Sequence, residues 1–321
     1  MPDCFIDIDK PAGITSAGVV ARLKGLLFPR FGKFRIGHAG TLDPMATGVL
    51  PVACGEATKA LPYMPDTDKE YVFDVTFGRS TATDDAWGET SAATDRIPAM
   101  GEIERILPSF TGEIMQAPPA YSAIKVDGKR AHALARKGGV PVLKPRAQVV
   151  YSLKFIGPAS DDAATQDAGR AAAGEGPHKA AFRFEVVADR GFYVRALARD
   201  MALALGSLGF ASSIRRIRSG PFEIGRSITL DKLASMLDNG GLLDARAQDF
   251  CLEISRSLDG IPAVDMDEGR NEKLRNGMSV PFDGGDFPLL QILCRGELSA
   301  IARSNDGTLS PIRVFNIRKE N

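Results

Sequence analysis

Glu70-Tyr71-Val72-Phe73-Asp74-Val75-Thr76-Phe77 sets large apolar side chains at every second position. A period of two places Tyr71, Phe73, Val75 and Phe77 on one face and Val72, Asp74 and Thr76 on the other, as in a strand with one buried side. Upstream, Phe5-Ile6-Asp7-Ile8 reads as a short strand closed by the turn signal Lys10-Pro11-Ala12-Gly13. Thr15 or Ser16 can then cap a helix carrying Val19, Val20, Leu23, Leu26 and Leu27 at helical spacing. Downstream, Ile103, Ile106, Leu107 and Phe110 suggest a second helix, and strand-like runs return at 148–156, 181–188 and 213–219. Between the last two, Val194, Leu197, Ala198, Met201 and Leu205 fit a helix ending near Gly206. Strands and helices mix without strict alternation, which predicts an α+β fold.

The 321 residues suffice for two domains. We expect a larger one over 1–246 and a small β-rich one over 247–321, where the chain turns to short β-like runs such as Val280-Pro281-Phe282 and Leu289–Cys294. Residues 157–179, rich in Ala, Gly and Asp and without aromatics, read as a disordered surface insertion. Residues 116–146 read as a long projecting loop, and loops of that length inside a domain are usually functional. No apolar run approaches the roughly 18 residues of a membrane span, and no basic start followed by an apolar stretch marks a secretory leader. Four scattered cysteines (Cys4, Cys54, Cys251, Cys294) read as reduced, unligated thiols of a cytoplasmic protein.

Net charge is zero, but its distribution is uneven. Lys125, Lys129, Arg130, Arg136, Lys137, Lys144 and Arg146 face only Asp127 within their stretch, and Arg190, Arg195, Arg199, Arg215, Arg216 and Arg218 face only Asp200. Such stretches suit phosphate neutralisation, or else form well-solvated surfaces. A further segment, Gly37-His38-Ala39-Gly40-Thr41-Leu42-Asp43-Pro44-Met45-Ala46-Thr47-Gly48, packs three glycines and an Asp-Pro step into a tight loop open to close approach by a ligand. It matches neither a dinucleotide fingerprint nor a P-loop. Asp43 reads either as the cap of a helix starting near Pro44 or as a carboxylate presented by the loop, since a following proline disfavours helical geometry.

The segment resembles the signature of the TruB family of tRNA pseudouridine synthases. The resemblance continues, in order, through Lys69-Glu70-Tyr71, the run from Gln116 to Lys125, Gly191-Phe192-Tyr193-Val194-Arg195 and Ile214-Arg215-Arg216. It implies the pseudouridine synthase fold, a mixed and mainly antiparallel central sheet flanked by helices, acting on uridine 55 in the T loop of tRNA. It also implies base flipping, which costs roughly a few kcal/mol, with Asp43 as the catalytic carboxylate. Attack at C1′, attack at C6 and removal of a sugar proton stay open. No metal or cofactor is required by an isomerisation of this kind.

By the same resemblance Arg195 opposes Asp43 and keeps it charged, although its spacing alone fits a surface helix arginine. Tyr71 would pack on the target base, or simply complete its apolar row. His38 would contact displaced nucleotides, Tyr193 and Ile214 would line the uracil pocket, and Lys59 would meet phosphate, while core packing or solvation explains each as well. The cations Lys125, Lys129, Arg130 and Arg136 lie in the loop that the family closes over the RNA, where His132 stands at a position usually aromatic in that family. Leu274–Val280 resembles a PUA-type RNA-binding module. A stand-alone monomer without guide RNA or obligate protein partner is the expectation; a tRNA-folding module and a guide-dependent relative are the competing readings. Three histidines in unrelated contexts give little support to a Ser-His-Asp hydrolase.

Overall fold

In the computed structural model, residues 3–65, 67–122, 125–126, 129–130, 143–159, 180–239 and 250–317 are described. The strand read from its alternation is β4 (Lys69–Phe77) in the middle of an 11-stranded sheet, following β1 (Phe5–Lys10), β2 (Ile36–His38) and β3 (Thr47–Cys54). Its antiparallel neighbours are β11 (Ala181–Ala188) and β12 (Gly209–Ser219), while β5 (Arg79–Thr81) with β6 (Thr90–Ala93), and β8 (Lys125–Val126) with β9 (Lys129–Arg130), pair outside this sheet. Phe73, Val75 and Phe77 are fully buried, and Phe73 stacks on Phe184 with ring centroids 5.4 Å apart. On the opposite face Asp74 accepts from Arg183 Nε at 2.8 Å, which satisfies an otherwise costly buried carboxylate.

The sheet order runs from Ile228–Thr229 through β1, β3, β12, β4 and β11 to β10 (Arg146–Pro158) and β7 (Gly112–Gln116). Most pairings are antiparallel; β1 with Ile228–Thr229 and β3 with β12 are parallel. The mixed, mainly antiparallel expectation holds. One rung crosses the whole centre, joining Lys10, Gly48, Arg216, Tyr71 and Val186 on five successive strands.

Helix α1 (Ser16–Phe31) starts where Thr15 Oγ1 accepts from the Gly18 amide at 2.9 Å, and buries Val19, Leu23 and Leu27. The second expected helix divides into α2 (Met100–Ile106) and a 3-10 turn over Leu107–Phe110. Helix α3 (Val194–Ala204) packs on β12 and β4; Gly209 permits the close approach, because a Cβ there would stand 2.7 Å from that of Ala202.

Beyond 250 the chain first adds Cys251–Leu252 to β1 of the large sheet. A separate five-stranded sheet follows, with Ala263–Asp265, Phe287–Cys294, Glu297–Asn305, Thr308–Val314 and Val280–Pro281 in that spatial order, and Glu268–Arg275 as its helix. The two sheets share an apolar seam in which Phe5, Val49 and Ala53 meet Leu298, Ile301 and Phe315. Gly157 and Pro158, expected at the start of the disordered insertion, instead end β10 and pair with Arg183 and Phe182, while the boundary expected at 246/247 and residues 160–179 lie outside the described residues.

Candidate active site

The 37–48 segment forms the end of β2, a loop and the start of β3. No helix begins at Pro44: Pro44–Met45 is a turn in which the Ala46 amide donates to the Asp43 carbonyl at 3.1 Å. The helix-cap reading of Asp43 is therefore excluded, and its side chain points elsewhere. Two anchors flank it. Ser16 Oγ donates to the Leu42 carbonyl (3.1 Å) and accepts from the Leu42 amide (2.9 Å), tying the loop to the first residue of α1. On the other side the buried Lys10 ammonium donates to the carbonyls of Pro44 (3.2 Å), Ile14 (2.8 Å) and Pro11 (2.9 Å). Burial lowers the Lys10 pKa to about 8, against the opposing pull of Asp43.

Arg195, in the first turn of α3, meets Asp43 at two points: Nη2 donates to Oδ1 at 3.0 Å, and Nε lies 2.8 Å from Oδ2 as an ion-pair contact outside hydrogen-bond geometry. The side chain of the arginine is 4% exposed and that of the aspartate 35%, so the pair is closed behind and open in front. Arg195 has further partners: Nη1 donates to the Thr83 carbonyl at 2.8 Å and stands 3.5 Å from Asp85 Oδ2, and Nη2 also donates to the Tyr121 carbonyl at 3.0 Å. Asp85 is itself held by Thr83 Oγ1 (2.5 Å) and the Trp87 amide (3.0 Å). Burial raises the Asp43 pKa, Arg195 opposes the rise, and the like charge of Asp85 adds to it. The result is an ionisable carboxylate fixed by a preorganised cation and partly open to solvent.

Tyr193 directly precedes α3. Its amide and carbonyl are clasped by the buried Gln116 side chain at 2.8 and 3.1 Å, and burial together with the charge of Asp43 raises its phenol pKa. Tyr71 is 7% exposed on β4, and Ile214 is 4% exposed on β12 opposite Phe73. His38 is half-buried on β2, with Nδ1 enclosed and unbonded; burial and the charge of Arg216 lower its pKa. Lys59 stands elsewhere. Its ammonium contacts Glu56 at 2.6 Å and the Val314 carbonyl at 3.1 Å, where the first sheet meets the second.

Lys125–Val126 pairs with Lys129–Arg130 as a two-stranded ribbon, while Arg136 and His132 lie outside the described residues. The arginines of 190–218 do not form the solvated patch that their density suggests. Besides Arg195, Arg199 pairs with Asp84 and Asp200, Arg215 with Asp9, and Arg218 with Asp68 and Glu70, while Arg216 is buried. Lys10, Ser16, Thr83 and Asp85 escape sequence reasoning. The only cue is the small, acidic run Thr81–Gly88, whose link to Arg195 is purely tertiary. Among the described residues no group of three or more His, Cys, Asp or Glu could hold a metal ion.

Residues 29–194 match the profile of the TruB family pseudouridylate synthase N-terminal domain. The chain is 38% identical over 317 residues to a tRNA pseudouridine synthase B of Bradyrhizobium diazoefficiens, covering 98% of this chain and 86% of that one. It is 36% identical over 329 residues to the protein of the same name from Brucella ovis, covering 97% and 95%. In fold it resembles a chain of an H/ACA RNP bound to a substrate RNA containing 2′-deoxyuridine (TM-score 0.68, 22% identity, 99% and 86% covered). A chain of a Cbf5-Nop10-Gar1 complex is similar as well (TM-score 0.67, 24% identity, 99% and 84% covered).

Proposed function

This chain belongs to the TruB family of pseudouridylate synthases, and from that premise we propose that Asp43 is the carboxylate with which it isomerises uridine to pseudouridine in the T loop of tRNA, at uridine 55. The reaction breaks the C1′–N1 bond, turns the uracil and joins C5 to C1′, so its formula balances without a co-reactant. It calls for a charged carboxylate beside the sugar and for a surface against which the freed base can turn. The Asp43–Arg195 contact carries the reading: a two-point guanidinium holds the carboxylate against the pKa rise that burial imposes.

Tyr71 and Tyr193 supply rings, and Ile214 an apolar wall, for the flipped base. The half-buried His38 stands toward the nucleotides that the base leaves behind. Lys125, Lys129, Arg130 and Arg136 contact phosphate from the loop over 116–146. The glutamate and carbonyl already holding Lys59 favour a structural role for it at the seam. The catalytic part spans 1–246, and the five-stranded part within 247–321 is an accessory RNA-binding module. The enzyme acts as a cytoplasmic monomer without guide RNA. Among the described residues no helix is long and apolar enough to cross a membrane.

The test is incubation of the purified chain with an unmodified tRNA transcript, followed by mapping of pseudouridine. Product at position 55 without added RNA or protein is expected; its absence rejects the stand-alone reading. Asp43→Ala abolishes turnover while keeping tRNA affinity within roughly tenfold, about 1.4 kcal/mol. A collapse of affinity would instead make Asp43 structural.

A further inference from the structure

We propose that Arg216 is a positioning residue for the reaction, its buried guanidinium tying both stems of the Asp43 loop to the strand that lies beside Tyr71. The inference rests on the assignment of Asp43 as the catalytic carboxylate. Arg216 is 1% exposed, the largest fully buried side chain among the described residues. Among those residues it has none of the carboxylate contacts made by Arg195, Arg199, Arg215 and Arg218. Instead Nε donates to the Val49 carbonyl at 2.7 Å and Nη2 to the Gly40 carbonyl at 2.9 Å. Those two acceptors bracket residues 41–48, the loop that presents Asp43. One rigid fork therefore spans the loop from before the carboxylate to after it.

The backbone repeats the constraint. Gly48 lies beside Arg216 in the parallel pairing of β3 and β12, and a Cβ at Gly48 would collide with the Arg216 carbonyl oxygen. Gly48 has φ +97°, which glycine alone adopts at little cost. On its other side Arg216 pairs with Tyr71. Gly40, at φ +73°, lies against the guanidinium, where a Cβ would stand 3.4 Å from Nη1. Ser16 holds the loop from α1, Lys10 holds it from β1, and Arg216 holds it from β12. Of these three, Arg216 is the one whose backbone pairs directly with Tyr71. Lys10, His38 and Asp7 all feel the buried charge.

A buried cation satisfied by two backbone carbonyls is costly to assemble unless the geometry it fixes matters. The matter here is reach: a displacement of a reacting group by about 1 Å can cost on the order of 10²-fold in rate. Lysine at 216 keeps the charge but loses the planar guanidinium whose Nε and Nη2 donate to the two stems from separate edges, so charge alone does not replace the fork.

The experiment measures single-turnover pseudouridine formation, tRNA Kd and Tm for Arg216→Ala and Arg216→Lys. We expect the rate to fall roughly 100-fold in the first and roughly tenfold in the second, with Kd within about threefold of wild type. Guanidinium chloride at tens of millimolar should restore Arg216→Ala more than equal sodium chloride does, because the ion can enter the vacated site. A folded Arg216→Ala of unchanged rate overturns the proposal, as does a loss of affinity that matches the loss of rate, or recovery no better than with sodium chloride. Should Arg216→Ala fail to fold, Arg216→Lys decides, and wild-type turnover in it overturns the proposal. A wild-type protein inactive on tRNA would reject the assignment of function itself, whereas an active wild type with active Arg216 variants rejects only this inference.

Discussion

Asp43 and Asp7 stand on the same sheet system, and burial raises the pKa of both. They differ in company. Asp43 has a guanidinium at 2.8 and 3.0 Å on its two oxygens. Asp7 is 4% exposed, hydrogen-bonds to Ser227 and the Glu223 backbone, leaves Oδ1 without a partner, and feels Arg216 only at longer range. Its pKa rises to about 7. The contrast shows what the α3 arginine does for a buried carboxylate. Desolvation strengthens every interaction a reacting carboxylate makes, but it also drives the group toward its inert protonated form unless a cation is held against it.

The most severe way to break this contrast is to make Asp43 resemble Asp7. Arg195→Met removes the first opponent of desolvation while Asp85 still raises the Asp43 pKa. In the proposed reaction Asp43 acts ionised, so activity is expected to be lost as pH falls through its folded-state pKa, and a higher pKa moves that acid limb upward. Single-turnover rates at neutral pH should fall on the order of 10³-fold, about 4 kcal/mol, the scale of an uncompensated buried charge. A lowered rate with an unmoved limb would show that Arg195 only orients the loop.

The converse substitution acts on stability. The folded pKa of Asp7, about 7, exceeds the unfolded value, so the native state keeps a proton that the unfolded chain releases. Its contribution to stability is complete below about pH 4 and is lost as pH rises to about 7, with no further loss above. Asp7→Asn removes the dependence. Relative to wild type, the variant should gain about 2–3 kcal/mol between roughly pH 5 and pH 7.5 in denaturant unfolding. Parallel profiles would mean that Asp7 is ionised throughout and better solvated than its burial suggests.

These two aspartates also mark where sequence reasoning reaches and where it stops. The row Tyr71, Phe73, Val75 and Phe77 is readable because a half-buried strand writes its period into the chain. Strand β3, Thr47–Cys54, is buried along nearly its whole length and contains Pro51, so it has no alternation to read. Asp-Pro is compatible with a cap and with a turn, and only the folded chain decides between them. Arg195 has the spacing of a surface helix residue, yet its partners come from 152, 112 and 74 residues away. Family resemblance supplied the pairing of Asp43 with Arg195, which no local pattern contains. Local charge density misleads for the same reason: most of the arginines in 190–218 are committed to carboxylates distant in sequence.

The mildest test concerns a pair of the same chemistry placed in the open. Arg218 contacts Asp68 at 2.7 Å and Glu70 at 3.1 Å, but its side chain is 26% exposed and that of Asp68 36%. Hydrogen bonding from Arg218 lowers the Asp68 pKa, the reverse of what happens at Asp43. Here solvent competes for both charges and screens what attraction is left, so the pair contributes little however short its distances. Arg218→Met should therefore lower stability by less than about 1 kcal/mol, and by less still in high salt. Although Glu70 is the neighbour of Tyr71, the pseudouridine rate should stay within about threefold, because neither the stem carbonyls nor the Asp43 contact involves Arg218. A tenfold loss of rate in a stable Arg218→Met protein would mean that position along β12, rather than desolvation, decides which arginines matter. Asp43 and Asp7 would then differ for a reason other than the cation beside them.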